Sequence, residues 1–305
     1  MTRVVCIGEC MVELRAGEAD SDVFARSYAG DAYNTAVYLK RSLPQALVQF
    51  LTATGDDGLS SSMRKAWHMD DIDAELAFTV GGATPGLYLI ETDSQGERRF
   101  QYWRKDSAAR QWLRLLLEKG ESILWGADVV YISGISLAIL QSECRAAAIA
   151  LLERLKSHVG RIAFDPNLRP SLWETHEAAL CAVGAALDLC DIALPSSDDI
   201  RQLFDLEEPE AQLDLLEARG AREVALTLGS AGCVVSERKK RTWIPAAEAP
   251  RVLDTSGAGD SFNGAYLAAR LQGGSAAHAA QFGMAVASRV VSHRGALVPT
   301  LVSHP

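Results

Sequence analysis

From about Trp125 to the end of the chain, short apolar runs alternate with segments of helical spacing, and this alternation limits the possible folds more than any other feature. Strands are expected at 129–133, 161–165, 192–194, 224–228 and 233–236, and helices at 142–155, 178–189, 209–219, 261–271 and 275–291. Strands separated by helices pair in parallel and must be covered on both faces, so the expected class is α/β, with a mostly parallel sheet flanked by helices. Ligands of such sheets collect at the carboxyl ends of the strands. Residues 165–169, Gly229 and residues 254–260 all follow strand-like runs and are expected to share one rim.

The first third has a different texture. A buried strand at 4–8 runs into an extended stretch at 9–14, followed by a helix at 34–43, a strand at 47–53 and a helix at 60–67. Segments 86–91 and 98–104, rich in aromatic and β-branched residues, flank the polar stretch 92–97 and predict a β-hairpin with one face outside the core. With 305 residues, 48% of them hydrophobic, the chain can bury a large core, as one α/β domain with an insertion or as two domains.

A formal net charge of −9 argues against a general nucleic-acid binder. The apolar run at the N-terminus is short and broken by Glu9, unlike a signal peptide, and no stretch reaches the length of a membrane span. Six scattered cysteines without a Cys-x-x-Cys pair read as reduced thiols of a cytoplasmic protein, and Cys6 and Cys10 lack a partnering pair for a metal. The basic run 238–241 reads as a solvated turn.

Four stretches carry chemistry. Asp254-Thr255-Ser256-Gly257-Ala258-Gly259-Asp260 stands where a strand-like run gives way to a helix. Its small residues let the backbone curl and expose N–H groups, and the helix adds its positive N-terminal end, which makes a cradle for an anion. A carboxylate beside such a cradle suits phosphoryl transfer, where a base must take the proton of the attacking hydroxyl. The plainer alternative is a turn and N-cap, with Asp260 merely complementing the helix dipole. The chain has no Walker A run and no dinucleotide fingerprint. Gly30, Asp31 and Asn34 precede or open a helix and offer groups suited to sugar hydroxyls. On the second hairpin segment, strand alternation puts Tyr102 and Arg104 on one face and Trp103 on the other, an arrangement that can grip a carboxylate and a hydroxyl. Asn167 and Arg169 follow a strand in the ordered loop Asp165-Pro166-Asn167-Leu168-Arg169-Pro170 and suit a phosphate.

Taken together these stretches resemble the PfkB (ribokinase-like) family of carbohydrate kinases over essentially the whole chain. Gly30 to Asn34 matches the family's N-terminal motif, with Ala-Gly in place of Gly-Gly, and Asp254 to Asp260 matches its Asp-Thr-x-Gly-Ala-Gly-Asp motif in full. Within the family, residues 8–14, 85–88, 102–104 and 133–138 are most similar to kinases of 2-keto-3-deoxygluconate. The resemblance implies a ribokinase-like fold, a single kinase domain over 1–305 and a small β lid formed by segments near 10–30 and 84–106. It implies ATP and Mg²⁺ as cofactors, a sugar acid as substrate, a cytoplasmic enzyme with no nucleic-acid or membrane partner, and a homodimer through the lid. It implies that Asp260 is the base for the C6 hydroxyl and that Gly257, Ala258 and Gly259 form the anion hole. Gly30, Asp31 and Asn34 would hold hydroxyls, while Tyr88, Tyr102 and Arg104 would hold the rest of the substrate. Asn167 and Arg169 would face phosphates, Arg169 being shared with the substrate, and Thr227, Gly229 and Gly232 would shape the nucleotide pocket. Many relatives carry Asn-x-x-Glu where this chain has Pro195-Ser196-Ser197-Asp198-Asp199, so the metal ligands stay unassigned between the two aspartates. The rival readings are another kinase of the family, acting on fructose, ribose or a nucleoside, and a sugar-binding regulator without catalysis.

Overall fold

Val4, Val5, Cys6 and Ile7 are wholly buried, as expected of a strand with neighbours on both edges and helices on both faces. In the computed structural model, which describes residues 1–16, 23–92 and 98–298, the strand Arg3–Ile7 lies inside a nine-stranded sheet. From one edge to the other the strands are Lys240–Ile244, Cys233–Glu237, Glu223–Thr227, Ile192–Ala193, Arg161–Asp165, Val129–Ser133, Arg3–Ile7, Leu47–Gly55 and Ala77–Val80. All neighbours are parallel except at the first edge, where Glu223–Thr227, Cys233–Glu237 and Lys240–Ile244 pair antiparallel. The chain builds outward from Arg3–Ile7 to Ala77–Val80, then returns to Val129–Ser133 and builds the other way. The order reverses between Arg3–Ile7 and Val129–Ser133, and a crevice opens at such a point.

Two hydrophobic layers cover the sheet, one including Trp112, Leu151 and Val183, the other Tyr33, Phe50, Trp67 and Tyr266. A separate four-stranded sheet, in the order Phe24–Ala29, Met11–Ala16, Leu87–Thr92 and Arg98–Trp103, stands over the crevice end. It is antiparallel except where Met11–Ala16 meets Leu87–Thr92. Among the described residues no helix is long and apolar enough to cross a membrane.

The hairpin strands form where expected, although residues 93–97 of the expected turn lie outside the described residues. The helix expected from 261 begins at Ala258, so Gly259 and Asp260 belong to its first turn. The run 238–241 turns through left-handed Arg238 and Lys239 (φ 52° and 66°). Arg241 departs from the solvated reading: its guanidinium donates to Glu210, Asp214 and Glu217 at 2.7, 2.6 and 2.8 Å.

Candidate active site

Two helices, Asp31–Ser42 and Ala258–Leu271, lie against each other with their first turns at the crevice. Gly264 makes this possible, because a Cβ there would stand 2.5 Å from Thr35 O and 2.7 Å from Leu39 N. Each helix is preceded by a glycine, which has no side chain to cap the first-turn N–H groups. Gly257 is left-handed (φ 72°), and a Cβ on it would come within 2.6 Å of Ala296 O. Gly30 is extended, but a Cβ there would meet Glu9 O at 2.1 Å. Of the three residues expected to form an anion hole, Ala258 already spends its N–H on Thr255 O (3.2 Å). Nothing lies within 4 Å of the Cβ position of Gly259.

Asp260 does not cap its own helix. Its Oδ2 accepts from Asn34 Nδ2 at 2.7 Å. Burial, reinforced by the neighbouring charge of Asp31, pushes its pKa up to about 7 against the lowering effects of the Asn34 hydrogen bond and Arg169. That value suits a group that must accept a proton near neutral pH. Asp31 accepts from Ser133 Oγ and, at 3.1 Å, from Asn167 Nδ2, which ties the turn at 30–34 to the loop at 165–170.

The loop after Arg161–Asp165 is held by carboxylates. Asp165 accepts from Asn167 N (2.9 Å) and Asn263 Nδ2 (2.8 Å), while Asp199 accepts from Leu168 N (3.0 Å) and Ser196 Oγ (2.7 Å). This clamp keeps Asn167 left-handed (φ 34°), a conformation asparagine tolerates better than most residues. Burial pushes the carboxyl pKa of Asp165 and of Asp199 upward, and for Asp165 nearby Asp199, Asp260 and Asp31 add to the shift.

The four-stranded sheet supplies the facing wall. Tyr102 stacks on Tyr88 with ring centroids 5.7 Å apart, and Tyr88, Phe100, Tyr102 and Arg104 line the same cavity whereas Trp103 does not, as alternation requires. Tyr88 and Arg104 are already engaged: the Tyr88 hydroxyl donates to Glu13 and the Arg104 guanidinium pairs with Glu9. Neither glutamate was expected from sequence, where each is one acidic residue in a strand-like stretch.

The cavity encloses about 950 Å³ and brings together Gly30, Asp31, Asn34, Tyr88, Tyr102, Arg104, Asn167, Arg169, Thr227 and residues 257–260. Gly229 and Gly232 lie outside its lining. Gly232 is fixed by packing, since a Cβ would stand 2.2 Å from Ile244 O at φ 109°. Of the two aspartates in the departing motif, Asp198 is exposed and paired with Arg201 (2.6 Å), whereas Asp199 is buried and lines the cavity with Ser196. The helix Ser197–Phe204 was not expected; the signal that could have found it is the Ser-x-x-Asp spacing of its N-cap, where Ser196 Oγ accepts from Asp199 N at 3.1 Å. Among the described residues no group of three His, Cys, Asp or Glu is arranged to hold a metal ion. Buried carboxylates already committed to hydrogen bonds fit a divalent cation that arrives on nucleotide phosphates and is reached through water.

The fold and cavity are those of a sugar kinase, and the chain belongs to the pfkB family of carbohydrate kinases, whose model matches residues 1–301. The chain is 40% identical over 305 residues to 2-dehydro-3-deoxygluconokinase of Escherichia coli (strain K12), covering 97% of each. It is 36% identical over 310 residues to the protein of the same name from Haemophilus influenzae, covering 100% of this chain and 98% of that one. Its ribokinase-like fold matches the crystal structure of fructokinase from Vibrio cholerae O395 in its fructose, ADP and calcium ion bound form, with a TM-score of 0.83 at 23% identity over 97% of this chain and 94% of that one.

Proposed function

We propose that this protein transfers the γ-phosphoryl group of ATP to the C6 hydroxyl of 2-keto-3-deoxygluconate, giving 2-keto-3-deoxy-6-phosphogluconate and ADP. The observation that carries this reading is Asp260, a carboxylate with a pKa near 7 at an uncapped helix N-terminus, in one cavity with Arg104. The substrate is that of the relatives named 2-dehydro-3-deoxygluconokinase, at 36–40% identity over nearly the full chain.

In this reading Asp260 takes the proton of the C6 hydroxyl, the oxygen attacks the γ-phosphorus, and the bond to the ADP oxygen breaks. The N–H groups of Gly257 and Gly259, with the positive end of the helix, stabilise the charge on the transferring group. Gly30, Asp31 and Asn34 hold substrate hydroxyls, and Asn34 also keeps the Asp260 carboxylate aimed. Tyr88, Tyr102 and Arg104 hold the keto-acid end. Asn167 and Arg169 face phosphates, and Thr227 borders the nucleotide, with Gly229 and Gly232 shaping the turn beyond it. Mg²⁺ arriving with ATP would neutralise phosphate charge, and Asp199 and Asp165, which line the cavity, would face its water shell.

The four-stranded sheet acts as a lid that excludes water during transfer, and the whole chain works as one kinase domain. Exposed Phe24 and Trp103, on the face of that sheet turned away from the cavity, support a homodimer formed through the lid. The enzyme is assigned to the cytoplasm.

The test is ADP release with Mg-ATP and equal concentrations of 2-keto-3-deoxygluconate, fructose and ribose. The expected result is a strong preference for the keto acid. Turnover of a neutral sugar alone would leave Asp260 as base and remove Arg104 from the site.

A further inference from the structure

We propose that Glu9 is a positioning residue that sets the preference for an anionic substrate by fixing the Arg104 guanidinium in the cavity wall. This rests on the assignment of Arg104 to the substrate carboxylate. Glu9 is 1% exposed and lies one residue past the end of the buried strand Arg3–Ile7, after Gly8, so its backbone is anchored in the core. One carboxylate oxygen accepts from Arg104 and the other from Ser107 Oγ at 2.5 Å. Gly86 leaves room for it, since a Cβ there would stand 2.7 Å from Glu9 Oε1. The carbonyl of Glu9 packs on Gly30, at the head of the helix that carries Asp31 and Asn34. A single residue thus joins the hydroxyl-binding turn to Gly86, just before the strand Leu87–Thr92, and to Arg104 and Ser107, just after the strand Arg98–Trp103.

The electrostatics give the arrangement its consequence. The Arg104 side chain is only 10% exposed, and its buried Nε has no hydrogen-bond partner among the described residues. A guanidinium held on one side by Glu9 keeps donors for a second carboxylate, and its charge separates the two anions. Without Arg104, Glu9 would be a buried, uncompensated anion facing the incoming acid. Without Glu9, the long arginine side chain would lose its fixed geometry, and binding of the acid would suffer more than the chemical step.

The test is a cycle of Glu9→Gln, Arg104→Ala and the double variant, with KM and kcat measured for 2-keto-3-deoxygluconate. Glu9→Gln alone is expected to raise KM about tenfold or more while kcat stays within about twofold. In the Arg104→Ala background the same change is expected to lower KM, because it removes the uncompensated charge. An unchanged KM in the single variant, or a further rise in the double, overturns the proposal. If Glu9→Gln is too unstable to assay, Ser107→Ala removes the second partner of Glu9, and the same split between KM and kcat decides. Wild-type protein that does not turn over the keto acid overturns the substrate assignment instead, and is seen before any variant is made.

Discussion

Asn34 Nδ2 donates to Asp260 Oδ2 across 2.7 Å, joining residues 226 positions apart at the first turns of two packed helices. The contact connects the N-terminal and C-terminal motifs of the sequence in one proton-transfer site. It favours the ionised form of Asp260, the form a base needs.

Replacing Asp260 by Asn is expected to preserve the fold and reduce turnover by roughly 10²–10⁴-fold, the usual contribution of a general base. Steady-state ADP release checks it, and a loss smaller than about tenfold would remove Asp260 from that role.

The pKa near 7 predicts two pH effects. Activity on the acid limb of kcat/KM should fall as pH drops through about 7, and Asp31→Asn, which removes the neighbouring charge, should move that limb to lower pH. For stability, a carboxyl whose folded pKa is raised favours folding most below its unfolded pKa, and that favour is lost as pH rises through the folded value. Asp260→Asn should therefore melt higher than wild type above pH 7, with the gap narrowing toward pH 5. Thermal melts across this range decide, and a gap of constant size would contradict the raised pKa.

Gly257 and Gly259 should respond differently to alanine. Gly257→Ala meets both a left-handed backbone and Ala296 O, and should cost roughly 1–3 kcal/mol of stability or more. Gly259→Ala enters open space at a helical position, so the melting temperature should hold while the new methyl group crowds the transferring phosphoryl and slows turnover roughly tenfold or more. Equal melting temperatures for the two variants would contradict the packing described at Gly257.

Asp199→Ala should raise the Mg²⁺ concentration needed for half-maximal turnover by roughly tenfold. Asp198→Ala, at an exposed surface pair, should leave it unchanged. A titration of free Mg²⁺ at saturating ATP separates the two, and equal curves would remove Asp199 from the metal's surroundings.

Much of this site is legible in the sequence because its key residues sit in short local motifs. The turns at 30–34 and 254–260 announce themselves by small residues before a helical pattern, and the parallel sheet by the alternation after Trp125. Other elements gave weaker local signals. Phe24–Ala29 is mostly exposed and lacks a clear apolar alternation, and Ala77–Val80 is four residues at a sheet edge. Trp112–Lys119 is only eight residues, with buried Trp112, Leu113 and Leu116 as its periodic signal. Glu9 was illegible for a different reason: its meaning depends on Arg104, 95 positions away, and no local pattern records that pairing.

At Gly264 no side chain holds the two helices apart, so base, amide and phosphoryl cradle sit on one closely packed block. The tyrosines reach the cavity from the four-stranded sheet, and Arg104 from just past the end of its last strand. Chemistry and recognition are thereby carried by separable parts, and a lineage of such chains could exchange one sugar for another by rewriting the small sheet while the block beneath it stayed as it is.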